Sequence, residues 1–551
     1  MMDVQSAGPD DLATFDLIVI GAGINGAGIA RDAAIRGLRV LLLDKGDVAG
    51  GTSSWSTRLI HGGLRYLEHG EIHLVRESLR ERERLLRNAP HLVKPLPLFI
   101  PLYSFDKRAP WMVRAGMIAY DLLSMDKSLD SHTMLSKKAA LARVSRLNPE
   151  GLKGAALYYD AQVEYAERLV LENVLSARNH GATVQTYHRV DKLVRAGDVV
   201  VGVEYTDVLT GRTGAARSTV IINVAGPWVD DVLANSRSSK DETVRMIGGT
   251  KGSHIVVRPF AGAPQNALYV EALQDHRPYF IIPWNNLYLI GTTDVPFEGD
   301  PNNARADEAE IQYLIDETNR VLPSAELDRA SVLYTYSGVR PLPYQPNGRG
   351  DDSPTAGAIT RRHIVHDHAP GVEGLISIVG GKLTTYRSLA EQAVDMVYRK
   401  LDRPSPPSRT ASLSLPGGGA FAAADFRALG VSPETLRRLG RIYGSRTGDL
   451  LALTEREPDL SLPLGETGGA IRAEIVYAFR SELARTLADA LLRRTMLGFG
   501  PQVGLDVLDP AADVAQRYLG WECARVEHEK AIYRKYVERF TPATTIASLR
   551  P

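Results

Sequence analysis

The sequence predicts an α/β fold in three parts: a parallel-sheet domain, an antiparallel-sheet insert within it, and a C-terminal helical domain. Three observations predict it. Unbroken apolar runs near the start, residues 17–20 and 40–43, bracket a glycine-rich turn and a helix-length segment, the pattern of buried parallel strands joined by a crossover. In the middle of the chain, residues 251–290 carry alternating strands and a turn signal at Trp284-Asn285-Asn286, the pattern of antiparallel hairpins. Beyond a stretch rich in proline and glycine, apolar residues recur every three or four positions, as in residues 470–492, which is helical spacing.

The first apolar run opens into Gly21-Ala22-Gly23-Ile24-Asn25-Gly26-Ala27-Gly28, with a helix expected from about Asn25. Gly21 permits the tight turn, Gly23 lets the main chain approach a pyrophosphate, and Gly26 with Gly28 lets the helix pack closely on the strand. Free amides at the helix start would then face phosphates. Asp44 ends the second run, twenty-one residues after Gly23, where a carboxylate accepts hydrogen bonds from an adenosine ribose. Strand, glycines, helix, strand and acid in that order make a Rossmann-like dinucleotide site. An acid rather than an arginine at this place argues against a 2′-phosphate, hence against NADP, and leaves both NAD and FAD.

Composition narrows the classes further. At 551 residues the chain has room for two to four domains. Its 65 lysines and arginines balance 65 aspartates and glutamates, so no overall field recruits nucleic acid or an anionic membrane. The single cysteine, Cys523, excludes an internal disulfide, a thiolate zinc cage and a cysteine-ligated iron–sulfur cluster. In its helix-like surroundings it reads as a packing residue. The first fourteen residues lack a basic start followed by an apolar stretch, so no signal peptide is expected. No run reaches the roughly 20 apolar residues of a spanning helix. The nearest is 111–123, interrupted by Arg114 and Asp121, which reads as a core helix or as an in-plane surface anchor.

After Asp44 and Lys45, the loop 50–58 is rich in small hydroxylic residues, among them Thr52, Ser53 and Ser54. It offers donors suited to phosphates or a polar ring edge. His61-Gly62-Gly63-Leu64-Arg65-Tyr66 follows, a glycine pair that lets the backbone approach a flat group, flanked by an imidazole, a guanidinium and a phenol. The plainer reading is a loop with a solvated Arg65. Residues 71–87, with Ile72, Val75, Leu79 and Leu86 on one side, read as an amphipathic surface helix with ion pairs and no chemistry. A strand from Leu157, a helix over 166–180 ended by Gly181, and a strand toward Val190 return the chain to the first sheet.

Val220-Ile221-Ile222 then leads into a strand end of small residues, Ala225 and Gly226 among them, at the sheet edge where a nucleotide lies. Lys251-Gly252-Ser253-His254 opens the antiparallel insert and Gly291-Thr292-Thr293-Asp294 follows its hairpin. Taken alone, His254 is as readily a satisfied strand histidine. Such an insert roofs a nucleotide and shapes a substrate cavity at a domain boundary. The segment 334–342 carries Arg340 and precedes a loop, 345–357, expected to be exposed. Residues 375–379 run into Gly380-Gly381-Lys382-Leu383-Thr384-Thr385-Tyr386-Arg387, a second strand, glycine pair and helix start whose amides, with Lys382, stabilise negative charge. Residues 401–419 read as a linker. The expected domains are a discontinuous first domain of residues 1–105, 155–250 and 335–400, an insert of 106–154 and 251–334, and a helical domain of 405–551 serving as cap or association domain.

With both glycine junctions placed, the chain resembles the FAD-dependent glycerol-3-phosphate dehydrogenases from about residue 15 to 400, and more weakly through the helical tail. The family's first signature is met by Ile20 to Gly28, then Asp32 and Arg36-Gly37, with Ala22 the one departure. The second is met by Gly380 to Arg387 and Ala390, and HGGLRYLEH, KGSHIVV, IGTTDV and TYSGVRPL are similar to further family segments. The resemblance implies a Rossmann-like FAD-binding domain, an inserted antiparallel-sheet substrate domain and the helical C-terminal domain. It implies FAD, with flavin N5 taking a hydride from carbon 2 of sn-glycerol 3-phosphate to give dihydroxyacetone phosphate.

Cofactor contacts are then expected from Gly21, Gly23, Asn25, Gly26, Asp44, Lys45, Thr52, Ser53, Ser54, His61, Gly62, Gly63, Val190, Ala225, Gly226, Gly381, Lys382, Leu383 and Thr384. Asp44 stands where the family often has glutamate, which shortens the reach to ribose and keeps the acceptor. Arg340 would grip the substrate phosphate bidentately, with Lys382 and Arg65 adding charge. His254 is the expected base, His61 the second choice, with Thr292 and Tyr66 orienting hydroxyls. Gly381 and Lys382 would stabilise charge on the reduced ring.

No metal is implied. The expected electron acceptor is quinone, because no large insertion of the kind carried by the related glycerophosphate oxidases precedes residue 400; an oxidase releasing hydrogen peroxide is the alternative. A cytoplasmic enzyme attached peripherally to the inner face of the cell membrane is expected, with 111–123 the candidate contact, and a homodimer is compatible with the chain. A flavin-carrying RNA-modifying or regulatory protein on a related fold is the reading from another class. Zero net charge and the lack of a basic stripe speak against it.

Overall fold

The computed structural model describes residues 13–235, 245–344, 362–424, 431–465 and 468–542. The chain divides into two compact units. One consists of Met1–Ser54, Leu169–Gly249 and Arg340–Pro416, the other of Trp55–Arg168, Thr250–Val339 and Gly417–Pro551. The expected exposed loop 345–357 lies outside the described residues.

The first unit is built on a sheet whose order, among the described residues, is Ile364–Asp367, Leu375–Val379, Thr213–Asn223, Thr14–Ile20, Val40–Leu43 and Thr183–Gln185, with the hairpin His188–Ala196 and Val199–Asp207 paired to Thr213–Asn223. Its centre is parallel. Leu17 pairs with Val220 on one side and Val40 on the other, and Ile222 pairs with Ile376. Leu17, Ile18, Val19 and Leu42 are fully buried, which is why these strands read as continuous apolar runs instead of alternating ones. Helix Ile24–Ile35 meets helix Tyr386–Lys400 where Gly28 lies under the Tyr386 ring; a Cβ on Gly28 would stand 2.6 Å from that ring. The stretch expected as a linker is instead laid along the first helix. Arg31 donates to the Leu413 carbonyl at 2.6 Å, Arg36 bonds the Ser405 hydroxyl at 3.0 Å, and Thr410 bonds Asp32 at 3.3 Å. Buried charges on that helix need these partners.

The second unit carries a longer sheet of order Val295–Pro296, Thr250–Val257, Leu287–Gly291, Pro278–Trp284, Ala267–Glu271, Val93–Tyr103, Leu152–Val163 and Leu59–Ile60, with Val332–Arg340 paired to Thr250–Val257 and Thr133–Ser136 to Leu152–Val163. The predicted hairpin is present. Trp284 faces Leu287, and Asn285 and Asn286 both take left-handed φ, 53° and 60°, as a two-residue turn of the I′ kind demands. One sheet face, with Val256, Trp284 and Tyr336, shares a core with the helical tail, and the other, with Ile255 and Val257, packs on helix Glu308–Val321.

The unit boundaries differ from those drawn on sequence. Residues 55–105, 155–168 and 335–339 fold with the second sheet, because Val93–Tyr103 pairs antiparallel along Leu152–Val163, from Val93 with Val163 to Leu102 with Gly154. The tail belongs to this unit as well. Tyr334 donates to the Phe499 carbonyl at 2.8 Å and Thr335 to that of Phe540 at 3.3 Å.

Three local readings also change. The helical pattern of 470–492 is broken after Ala473–Ser481, since Glu482 is drawn into a buried pair with Arg168, at 2.6 and 2.8 Å, and with Arg446 at 2.8 Å, and Leu483 turns left-handed. Cys523 is exposed at the start of helix Cys523–Val537 and packs nothing away. Helix Ile72–Asn88 leaves Ile72 54% exposed while burying Arg82 and Glu83, so its charges are not all on a solvated face.

His368 shows how this sheet responds to acid. Burial and the neighbouring His366 pull its imidazole down to about 4, and its Nε2 lies 2.8 Å from Ser377 Oγ. Because the folded pKa is depressed below the usual 6.5, the unfolded chain binds the extra proton first. Its contribution to stability is therefore full above about pH 6.5 and is lost as pH falls toward 4. We expect His368→Gln to flatten the stability-against-pH curve between pH 6.5 and 4 by the uptake of about one proton, read by urea unfolding at stepped pH. A variant curve parallel to wild type would contradict this.

Candidate active site

In the first unit both glycine junctions are brought together. Strand Thr14–Ile20 ends at Gly21, whose φ is +114°, and a Cβ there would lie 2.7 Å from the Val224 carbonyl oxygen. Gly26 is placed so that a Cβ would fall 1.8 Å from the Gly21 oxygen. No side chain fits there. Gly23, the N-cap of helix Ile24–Ile35, meets only the Ser53 hydroxyl at 3.4 Å in the direction of a Cβ, so its main chain is open to close approach. Asn25 spans to the second junction, donating to the Gly380 carbonyl at 3.1 Å, and a Cβ on Gly381 would be 2.6 Å from its amide nitrogen. Gly380 and Gly381 hold φ of +77° and +95°, conformations that favour glycine.

Asp44 ends its strand as predicted, and its two oxygens take the amides of Ala22 at 2.6 Å and Gly46 at 2.8 Å. Burial raises its carboxyl above the usual range, against those two bonds. A carboxylate offers about four acceptor positions, so lone pairs are left for hydroxyls. Around it, Tyr187 and His188 donate to the Gly46 and Asp44 carbonyls, which seats the strand containing buried Val190 beside this turn. Ala225 and Gly226 follow Val224, whose amide bonds Ile20. Lys45 lies over the Trp228 ring at 3.9 Å.

The hydroxylic loop divides its labour. Ser53 accepts from the Ile24 amide at 3.0 Å, capping the helix, whereas buried Ser54 donates to Ala49 at 2.7 Å. Thr52 stands half-buried beside them. The second helix begins at Tyr386 with Thr385 as N-cap, so Lys382, Leu383 and Thr384 form the turn ahead of it. Arg340, at the end of its strand, is half-buried in this unit.

The second unit holds the remaining predicted residues, His61, Gly62, Gly63, Arg65, Tyr66, His254 and Thr292; the side chain of Arg65 lies outside what the structure describes. His254 is buried on strand Thr250–Val257 opposite Gly291, where any Cβ would stand 2.4 Å from its Cδ2. Its Nε2 lies 3.0 Å from the Thr57 hydroxyl, and its ring leans on Tyr336 at 4.8 Å between centroids. Burial keeps Tyr336 a neutral phenol, and it donates to the Ser56 carbonyl at 2.9 Å. Thr57 and Tyr336 are functional neighbours that neither spacing nor charge singles out. Their only signal is position, inside the hydroxylic loop and inside TYSGVRPL.

Lys251, by contrast, points to the other sheet face and pairs with Glu310 at 2.8 Å, so it is no partner of His254. Arg58, in the loop read as phosphate-facing, is fully buried in a bidentate pair with Glu167 at 2.7 and 2.8 Å. His61, Gly62 and Gly63 follow strand Leu59–Ile60, and a short 3₁₀ helix, Leu64–His69, carries half-buried Tyr66.

A glycine-walled, amide-lined turn closed by an acid suits a dinucleotide, and residues 16–387 match the FAD dependent oxidoreductase family. Residues 408–526 match the C-terminal domain of alpha-glycerophosphate oxidase. The glycerol-3-phosphate dehydrogenase of Synechocystis is 48% identical over 539 residues, 95% of this chain and 96% of its own. The D-erythritol 1-phosphate dehydrogenase of Brucella abortus is 40% identical over 88% of this chain and 94% of its own. The X-ray structure of the glycerol-3-phosphate dehydrogenase from Bacillus halodurans complexed with FAD superposes with a TM-score of 0.77 at 27% identity, covering 96% of this chain and 95% of that one. The chain belongs to the glycerol-3-phosphate dehydrogenase family of FAD-dependent oxidoreductases.

The residues present fit FAD. Open main chain at Gly23, the buried Asn25 Oδ1 that no described group satisfies, and the remaining acceptor capacity of Asp44 match a pyrophosphate, a polar ring edge and a ribose. We expect Gly26→Ala to cost cofactor retention about ten- to a hundredfold, the effect of about 1–3 kcal/mol of overpacking, measured as flavin per protein after desalting. Wild-type flavin content would contradict the packing account.

Proposed function

We propose that the protein oxidises the carbon-2 hydroxyl of sn-glycerol 3-phosphate to dihydroxyacetone phosphate and passes the electrons to a quinone. The observation that carries this reading is His254, an imidazole buried on a rigid strand and held by Thr57 and Tyr336. When bound, FAD supplies the two-electron acceptor, flavin N5. Loss of hydride from a carbinol carbon requires its hydroxyl proton to leave as well, and His254 takes that proton; His61 is the second choice. Arg340 grips the phosphate dianion with its fork of donors, and Lys382 and Arg65 add charge. Thr292 and Tyr66 orient hydroxyls, and the Gly381 amide with Lys382 offsets the negative charge that builds up as electrons arrive. The three-carbon polyol phosphate is favoured over a four-carbon one because the glycerol-3-phosphate relative is more similar over more of the chain than the erythritol-phosphate relative.

The acceptor and location belong to the same proposal. No helix of the described residues is long and apolar enough to cross a membrane. Helix Pro110–Leu123 buries Val113, Met117 and Tyr120 and leaves Trp111 72% and Leu122 61% exposed, with Met125 beyond it 81% exposed. Such an apolar face supports in-plane seating on a membrane, where a quinone dissolves. We assign the enzyme to the inner face of the cell membrane; a homodimer is compatible with this reading.

Anaerobic sn-glycerol 3-phosphate should bleach the yellow protein, and a quinone analogue should restore the colour faster than oxygen. Stoichiometric peroxide in air would make it an oxidase, and faster bleaching by erythritol phosphate would change the substrate. His254→Ala should slow bleaching by about two to four orders of magnitude; a near-normal rate would move the role to His61. Trp111→Glu with Leu122→Glu should leave that rate intact and abolish co-sedimentation with anionic liposomes, and retained sedimentation would exclude this face.

A further inference from the structure

Resting on the reading that the His61-Gly62-Gly63 turn borders the reacting groups, we propose that Tyr120, Asp160 and Arg82 are positioning residues that fix where this turn lies. The Gly62 amide donates to the Tyr120 hydroxyl at 2.9 Å and to Asp160 Oδ1 at 3.3 Å. The Tyr120 hydroxyl in turn donates to the Asp160 carboxylate, 2.8 Å from either oxygen, and Arg82 donates to Oδ1 at 2.6 Å. All three side chains are buried. Behind them Arg82 pairs with Glu83 at 3.1 Å, and Glu83 accepts from the amide and hydroxyl of Ser128 at 2.9 and 2.8 Å. Three chain segments therefore converge on one amide.

The turn is also fixed sterically. A Cβ on Gly62 would fall 2.4 Å from the Tyr120 hydroxyl oxygen and 2.5 Å from Leu79 Cδ2. Gly63 takes φ +78°, and a Cβ there would fall 2.0 Å from the Tyr66 ring. Gly62, pressed against Tyr120 and Leu79 and bonded through its amide, and Gly63, pressed against Tyr66, leave the turn little room to move.

Stability alone is a poor reason for such a network. Desolvating a carboxylate and a guanidinium commonly offsets what their pairing returns, so a buried pair contributes little net stability. What a fully connected buried network does supply is one defined arrangement. Two of its members are also held in one protonation state. Burial, and then Asp160, push the Tyr120 phenol well above its ordinary value, so it remains a neutral donor. Burial works against the Arg82 charge, but Asp160 more than offsets it and the guanidinium stays protonated.

Tyr120→Phe tests this, since it keeps the ring edge-to-face with Tyr158 at 5.8 Å and removes only the hydroxyl. In the FAD-loaded variant, hydrogen exchange at the Gly62 amide should accelerate about tenfold or more. Bleaching by glycerol 3-phosphate should slow about tenfold, equivalent to about 1.4 kcal/mol, with the Michaelis constant and pH profile unchanged. A lowered melting temperature with wild-type exchange and wild-type bleaching would reduce the network to a structural role and overturn the proposal. Asp160→Asn, which keeps an acceptor for Tyr120, is the second variant should the first not fold, with the same outcomes in each direction. If wild-type protein is not bleached by the substrate, the proposed function fails, while the exchange comparison still decides whether Tyr120 holds the turn.

Discussion

The fold of the cofactor-binding unit depends on one steric constraint, the contact between Gly21 and Gly26. The carbonyl oxygen of Gly21 occupies the place where Gly26 would carry a Cβ. That contact brings the first helix onto the first strand, and it leaves the Gly23 main chain open. It also sets Asn25 at the height where its side chain reaches Gly380. A second strand and helix, more than three hundred residues later in the chain, meet the first through this amide and through Gly28 under the Tyr386 ring. Asp44, Ser53 and the Val224 turn then close around the same few backbone atoms.

Much of this was legible because it rests on backbone geometry, which sequence reports directly. Glycine at 21, 23, 26 and 28 has few explanations other than close packing and left-handed φ, and the strand Val40–Leu43 was marked by its uniform burial. The hairpin at Asn285-Asn286 was equally readable, since two adjacent asparagines in left-handed conformation make a short turn. The second helix starts inside the segment read for it, at Tyr386, after a turn in which the Thr385 amide bonds the Lys382 carbonyl at 3.2 Å.

What was not legible depends on partners distant in sequence. Arg58 ends a loop read for its hydroxylic donors, and its burial against Glu167 has no local signal, while Lys251 reads as a neighbour of His254 until strand alternation sends it to the opposite face with Glu310. Arg82 looks like one more charge on a solvated helix, although Asp160 and Tyr120 bury it. The unit boundaries shifted for the same reason: the partner of Val93–Tyr103 is a strand some fifty residues away, and no local pattern announces that pairing. Hydrophobic periodicity encodes which face is buried, not what covers it.

These two kinds of information divide the chemistry. Cofactor binding rides on glycines and one acid, and so is visible in the sequence. In the proposed reaction the proton goes to a histidine that contacts Thr57 and Tyr336, an arrangement that needs the folded sheet. The central claim is that hydride leaves carbon 2 of sn-glycerol 3-phosphate in the step that reduces the flavin. The most direct measurement is anaerobic stopped-flow bleaching of FAD-loaded protein with substrate deuterated at carbon 2. A primary isotope effect of several-fold on bleaching is predicted; equal rates for the two isotopologues, or no bleaching by either, would contradict it.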